Sequence, residues 1–198
     1  MQPCTLDAYA EKTKLPVGFL RKLNLSDMSY MGTPAVRIPY LKEDGGEGGV
    51  RFRVTLGKSA EGDDRFRWRK GSKPCLYGIW RLKQAREAGY VFLVEGESDC
   101  HTLWYYGFPA LGVPGASNWR NEWASELDGI EKAYAVVEPD QGGETFWERL
   151  AASPIRERLY WVELEVPDGE VKDVSELHLR HPEGFGDLLE RANSRAVP

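Results

Sequence analysis

Beyond Gly89 the chain alternates short, almost wholly apolar runs with helix-length segments, and this rhythm constrains the fold more than any other feature of the sequence. Runs at 90–94, 109–113, 132–137 and 159–164 read as strands, and the stretches 98–106, 119–127 and 142–152 between them read as helices. Strands that are apolar on both sides and separated by helices pair in parallel, with helices over each face of the sheet. A last helix is predicted over 185–192, against an edge of that sheet.

The first 88 residues follow another pattern. Thr5 reads as an N-cap for a short helix at 6–14, and Pro16 opens a second at 17–23. Val36, Ile38 and Tyr40 then alternate with Arg37 and Pro39, a glycine cluster follows at 45–49, and Val50, Phe52 and Val54 alternate with Arg51, Arg53 and Thr55. That pattern predicts a hairpin with one basic face. A loop at 57–64 leads into a basic, aromatic segment at 65–74, and Tyr77-Gly78 introduces a helix-like stretch through Ala88. The expected architecture is a small α+β basic subdomain over 1–88, followed by a parallel α/β sheet flanked by helices over 89–198.

A chain of 198 residues, 41% hydrophobic and 12% aromatic, buries a real core and does not fit the composition of a disordered protein. Its longest apolar runs stop far short of a bilayer span, so no membrane partner is expected. The first fourteen residues carry acids and lack an apolar secretory h-region, and Cys4, Cys75 and Cys100 are widely spaced without a CxxC pair. A reducing, cytoplasmic setting is expected.

Carboxylates terminate the strands. The run at 90–94 passes into Glu95-Gly96-Glu97-Ser98-Asp99, the one at 132–137 into Glu138-Pro139-Asp140-Gln141-Gly142-Gly143, and the last is followed by Asp168 and Asp173. In an open parallel sheet the ligand crevice lies beyond the carboxyl ends of the strands. Glu95 and Asp99 are about one helical turn apart, and Glu138 and Asp140 are two residues apart across a proline. Each acid alone reads equally well as a helix cap or a solvated charge. Together they repel one another unless a divalent cation joins them, and all-oxygen ligands select Mg2+ or Mn2+ over zinc or copper.

The net charge of -5 argues at first against a nucleic-acid partner. Residues 51–86, however, hold eleven Lys or Arg against three acids, a local balance of +8, which leaves -13 for the rest. Arg51, Arg53, Arg67, Arg69, Lys70 and Lys73 form the candidate surface for a phosphate backbone. Among the interleaved aromatics, Phe52 and Phe66 are expected in the core, while Trp68 remains open between core and base stacking. His101, His178 and His181 lack a partner at zinc-ligand spacing and are expected as solvated or capped side chains. Gly115 and Ser117, and Gly142 and Gly143, precede predicted helices, where free amides offer secondary phosphate sites.

The ordered trio Val94-Glu95-Gly96-Glu97-Ser98-Asp99, Leu111-Gly112-Val113-Pro114-Gly115 and Val137-Glu138-Pro139-Asp140-Gln141-Gly142-Gly143 resembles the Toprim domain of DnaG-type primases and of phage or plasmid primase-helicases. Upstream, Arg37-Ile38-Pro39-Tyr40, Arg51-Phe52-Arg53, Arg69-Lys70-Gly71 and Leu76-Tyr77-Gly78 are similar to the N-terminal part of the primase RNA-polymerase core. By that resemblance Glu95 stands for the catalytic glutamate, with Asp99 as the acid that follows it. Glu138 and Asp140 stand for the paired aspartates, and Asp173 for a downstream metal-binding acid. Glu138 departs from the family aspartate by one methylene.

Neither a zinc ribbon nor a Walker lysine motif is found within the 198 residues, so template selection and unwinding are expected from elsewhere, for instance a replicative helicase partner. The resemblance implies primer synthesis on single-stranded DNA from nucleoside triphosphates. A metal-dependent nuclease and a non-catalytic single-strand-binding module stay open beside it.

Overall fold

The computed structural model describes residues 3–57, 65–167 and 169–198. Lys58, Glu61, Asp63 and Asp64 of the basic stretch and its loop, and Asp168, lie outside them. The chain forms two compact units, Met1–Pro74 and Cys75–Pro198. The division falls ahead of the expected 88/89 because Leu82 and Ala85 are buried in one core with Val91 and Leu93.

In the first unit, Thr5 caps α1 (Leu6–Thr13) through its side chain, and α2 (Val17–Lys22) follows Pro16. An antiparallel sheet comes next, in the order β1 (Ser26–Tyr30), β2 (Thr33–Leu41), β3 (Glu47–Arg53), β4 (Phe66–Trp68). The hairpin expected at 35–56 is β2 and β3, with a bulge at Tyr40/Leu41. The sequence gives no sign of β1, because Ser-Asp-Met-Ser-Tyr at a sheet edge buries almost nothing and so carries no apolar alternation.

Both faces of this sheet carry buried side chains. Ala35, Val50 and Phe52 form a small cluster on one, while Val36, Ile38 and Tyr40 are buried on the other. Arg53 is registered opposite Val36 and Arg51 opposite Ile38, so these two arginines point to a buried face and not to a solvated basic one.

The second unit holds α3 (Leu82–Ala88), β5 (Tyr90–Val94), α4 (Glu97–Tyr105), β6 (Ala110–Gly112), β7 (Lys132–Val136), α5 (Gln141–Ala151), β8 (Leu159–Val162), α6 (Val174–Arg180) and α7 (Phe185–Ser194). Its sheet is parallel, in the order β6-β5-β7-β8, as the apolar strand runs require. The segment 121–127 is a 3-10 helix instead of the expected α-helix.

Alternate residues of the strands serve two layers. Val91, Leu93, Ala133 and Ala135 pack with Phe146 and Leu150 of α5. On the opposite face Phe92, Tyr134 and Tyr160 make a ladder of rings with centroids 5.7 and 5.4 Å apart. Phe108 and Phe185 extend that aromatic layer. The chain leaves β5 through α4 to reach β6 on one side, and leaves β7 through α5 to reach β8 on the other. Connections diverging from adjacent strands open a crevice at their carboxyl ends. Glu95 and Glu138 follow those two strand ends.

Candidate active site

Three carboxylates converge at this crevice. Asp99 in the first turn of α4, Glu138 after β7 and Asp173 at the start of α6 each offer one oxygen, and these oxygens lie within 4.8 Å of one another. Glu95 lines the same small recess, with Val94, Val136 and Val174 as its apolar walls.

Each acid is held by its own local structure. Asp99 is 4% exposed and accepts hydrogen bonds from the Ser175 hydroxyl at 2.5 Å and the Ser175 amide at 3.3 Å. Asp173 is the N-cap of α6 and accepts from the Glu176 amide at 2.7 Å. Glu138 is fixed by the turn that follows it, where the Asp140 amide donates to the Glu138 carbonyl at 2.8 Å.

That turn also explains the glycines after it. A Cβ on Gly143 would fall on the Glu138 carbonyl oxygen, 2.7 Å from its amide nitrogen and 2.8 Å from its carbonyl carbon. Only a residue without a side chain lets the first turn of α5 close over the Glu138 backbone. Gly112 does the same beside β5, since a Cβ there would sit 2.8 Å from the Gly96 carbonyl oxygen.

The electrostatics follow from burial and crowding. Burial raises Asp99 well above the ordinary carboxylate range, and the neighbouring charges of Asp173 and Glu138 add to it against the Ser175 hydrogen bonds. Burial also raises Glu138 and Asp173, with Lys172 pulling each back. A cluster that resists its own ionisation, made only of carboxylate oxygens, fits a hard divalent cation such as Mg2+ or Mn2+.

Asp140 is placed differently from the expectation. One of its oxygens, Oδ1, caps α5 by accepting from the Gly142 and Gly143 amides at 2.8 and 3.1 Å, and it stands outside the three-acid cluster. Its other oxygen takes a hydrogen bond from Lys172 at 2.9 Å, which lowers the Asp140 pKa. Lys172 also reaches Glu138 Oε2 at 2.7 Å. Burial tends to lower the lysine pKa, yet the hydrogen bonds and charges of Glu138 and Asp140 outweigh it and raise it overall.

The amides of Gly142 and Gly143, expected to be free for phosphate, are therefore already engaged. Gly115 precedes, and Ser117 lies within, a three-residue 3-10 turn, too short to align peptide dipoles, and that turn is tied by Asn118 to the Pro114 carbonyl at 2.8 Å.

The basic residues of the first unit divide. Arg53 is 4% exposed, donates to the Thr55 and Leu56 carbonyls and lies over the rings of Tyr9 and Phe66, so it is a structural residue. Arg51 sits half-buried over Phe66 and Trp68. Trp68 packs on Tyr40 at 4.7 Å and is half-buried, while Phe52 is buried as expected. Arg67, Arg69, Lys70 and Lys73 are exposed, with Arg69 paired to Glu47 at 2.8 Å.

His101 and His178 are buried, not solvated, and hydrogen-bond to the hydroxyls of Tyr77 and Tyr106, each at 2.8 Å. Sequence reasoning missed Lys172 and Ser175 as members of the site. The only signal was a lysine and a serine flanking Asp173, a pattern without meaning until the loop is closed.

No family model matches the chain. The gene 57 protein of Mycobacterium phage D29 is 28% identical over 142 residues, covering 72% of this chain and 84% of that protein. Among solved structures, the RNA polymerase domain of Mycobacterium tuberculosis primase DnaG superposes with a TM-score of 0.73 at 12% identity, covering 96% of this chain and 75% of that one. A DnaG primase catalytic domain bound to ssDNA gives 0.70 at 18%, covering 97% and 71%. The primase fragment of the bacteriophage T7 primase-helicase protein gives 0.67 at 18%, covering 89% and 69%. The fold of this chain is that of the catalytic core of DnaG-type and phage primases.

Proposed function

We propose that this protein is a primer-synthesising nucleotidyltransferase core, acting on a single-stranded DNA template with nucleoside triphosphates. One observation carries the reading: Asp99, Glu138 and Asp173 converge within 4.8 Å at the carboxyl ends of a parallel sheet, in a primase-core fold. These three side chains would hold Mg2+ or Mn2+. When bound, such an ion neutralises triphosphate charge and stabilises the attacking and leaving oxygens of phosphoryl transfer.

The remaining work belongs to the chain's own groups. Glu95, which lines the same recess, is the base that accepts the proton of the attacking 3′-hydroxyl. Ser175 keeps the Asp99 carboxylate turned into the cluster. Asp140 and Gly143 set the turn that presents Glu138, so Asp140 acts as a positioning residue. Arg67, Arg69, Lys70 and Lys73 supply the exposed charge for a template backbone, without Arg53. A replicative helicase is the candidate partner that would deliver the template.

The test is extension on a single-stranded template with labelled nucleoside triphosphates and either cation. Short, template-dependent products that vanish in Glu95→Gln support the reading. Full activity in Glu95→Gln removes the role given to Glu95. Cleavage of the strand without added nucleotides would make the protein a nuclease, and salt-sensitive binding without any chemistry would make it a binding module.

A further inference from the structure

The acidic crevice contains a cation of its own. Lys172 precedes Asp173 on the loop into α6 and places its ammonium 2.7 Å from Glu138 Oε2 and 2.9 Å from Asp140 Oδ2. These are charge-assisted hydrogen bonds, stronger than neutral ones.

The geometry leaves Asp140 no spare oxygen. Its Oδ1 accepts from the amides of Gly142 and Gly143, and its Oδ2 accepts from Lys172. A divalent ion on Asp140 Oδ2 would sit beside the Lys172 ammonium, and the like charges set the two in competition for that oxygen. Glu138 differs, because it has a second oxygen and also belongs to the cluster with Asp99 and Asp173. The lysine and Asp140 are 40% and 47% exposed, so the ammonium has room to move into solvent, whereas the Asp99 side of the crevice is closed.

Resting on the reading of Asp99, Glu138 and Asp173 as the metal site, we infer that Lys172 is a tethered counter-cation that fills the Glu138–Asp140 side of the crevice and limits this chain to one tightly bound divalent ion. A second ion binds there only by displacing the ammonium. The residue therefore sets how many ions the site takes.

Counting bound Mn2+ by electron paramagnetic resonance, on the full chain without nucleotide or DNA, reads this directly. Wild type is expected to bind one Mn2+ tightly and a second only at a concentration at least about tenfold higher, the equilibrium worth of one charge-assisted pair. In Lys172→Met, which removes the charge and keeps the apolar stem, the second Mn2+ is expected to tighten by about tenfold or more. Lys172→Arg restores the wild-type count and shows that charge, not loss of folding, is responsible. Two equally tight ions in wild type, or identical isotherms for wild type and Lys172→Met, overturn the inference and leave the three-acid site standing. If wild type binds no Mn2+ above the level of Asp173→Asn, the three-acid site itself fails and the inference falls with it.

Discussion

Replacing Gly143 with alanine sets two effects of opposite sign against each other. Gly143 lies in the first turn of α5, where helix propensity alone favours alanine by about 1 kcal/mol. The structure opposes this, because the added Cβ would come 2.7 and 2.8 Å from the backbone nitrogen and carbonyl carbon of Glu138. The Glu138 carbonyl oxygen is closer still, and ordinary contact begins near 3.4 Å, so the Glu138 backbone must retreat by more than about 1 Å, and backbone cannot rotate away as a flexible side chain does. Overpacking of this kind costs about 1–3 kcal/mol, so the net change is destabilising or near zero, not favourable. The effect on function is larger: a misplacement on the order of 1 Å lowers a rate by about 100-fold. Gly186→Ala is the control, since Gly186 has open space around its Cβ position in α7 and should be neutral or slightly stabilising. Thermal melting and Mn2+ affinity of both variants decide the matter. A Gly143→Ala protein that melts higher than wild type and binds Mn2+ unchanged would refute the close-approach reasoning.

Other expectations follow from the same geometry. Asp99, Glu138 and Asp173 all have folded-state pKa values raised by burial, so the metal-free protein holds more protons folded than unfolded. Their contribution to stability is complete below the ordinary carboxylate range and is lost as pH rises through the raised values. Melting curves in chelator should therefore show Asp99→Asn gaining on wild type from pH 4 toward neutrality, and a pH-independent difference would contradict the burial argument. Phe146→Ala removes a fully buried ring from the core under the sheet and should cost about 3–5 kcal/mol in urea unfolding. Lys70→Ala should lower the salt slope of single-strand binding by about 0.7 with little change in melting, whereas Arg53→Ala should lower the melting temperature and leave the slope alone.

The sheet of the second unit was legible because its strands are apolar on both faces, which only helices on both sides can satisfy. The carboxylate-bearing loops were legible for the same reason, since strand ends are fixed once strands are. What the sequence could not show was which way each acid turns. Asp140 and Asp173 both cap helices, yet the turn carries Asp173 into the cluster and Asp140 toward Lys172. Alternation in β3 places Arg51 and Arg53 on one face, but not which face is buried, and that depends on what covers the sheet. The polar edge strand β1 left no periodic trace at all.

The proposed activity depends on Asp99, Glu138 and Asp173 holding a divalent cation. A crystal of the full chain equilibrated with Mn2+ and measured at the manganese absorption edge tests it most directly. An anomalous peak bonded to one oxygen from each of the three carboxylates is expected, with Asp140 still capping α5. A peak held by other residues, or an empty crevice at a Mn2+ concentration that supports any activity, would contradict it.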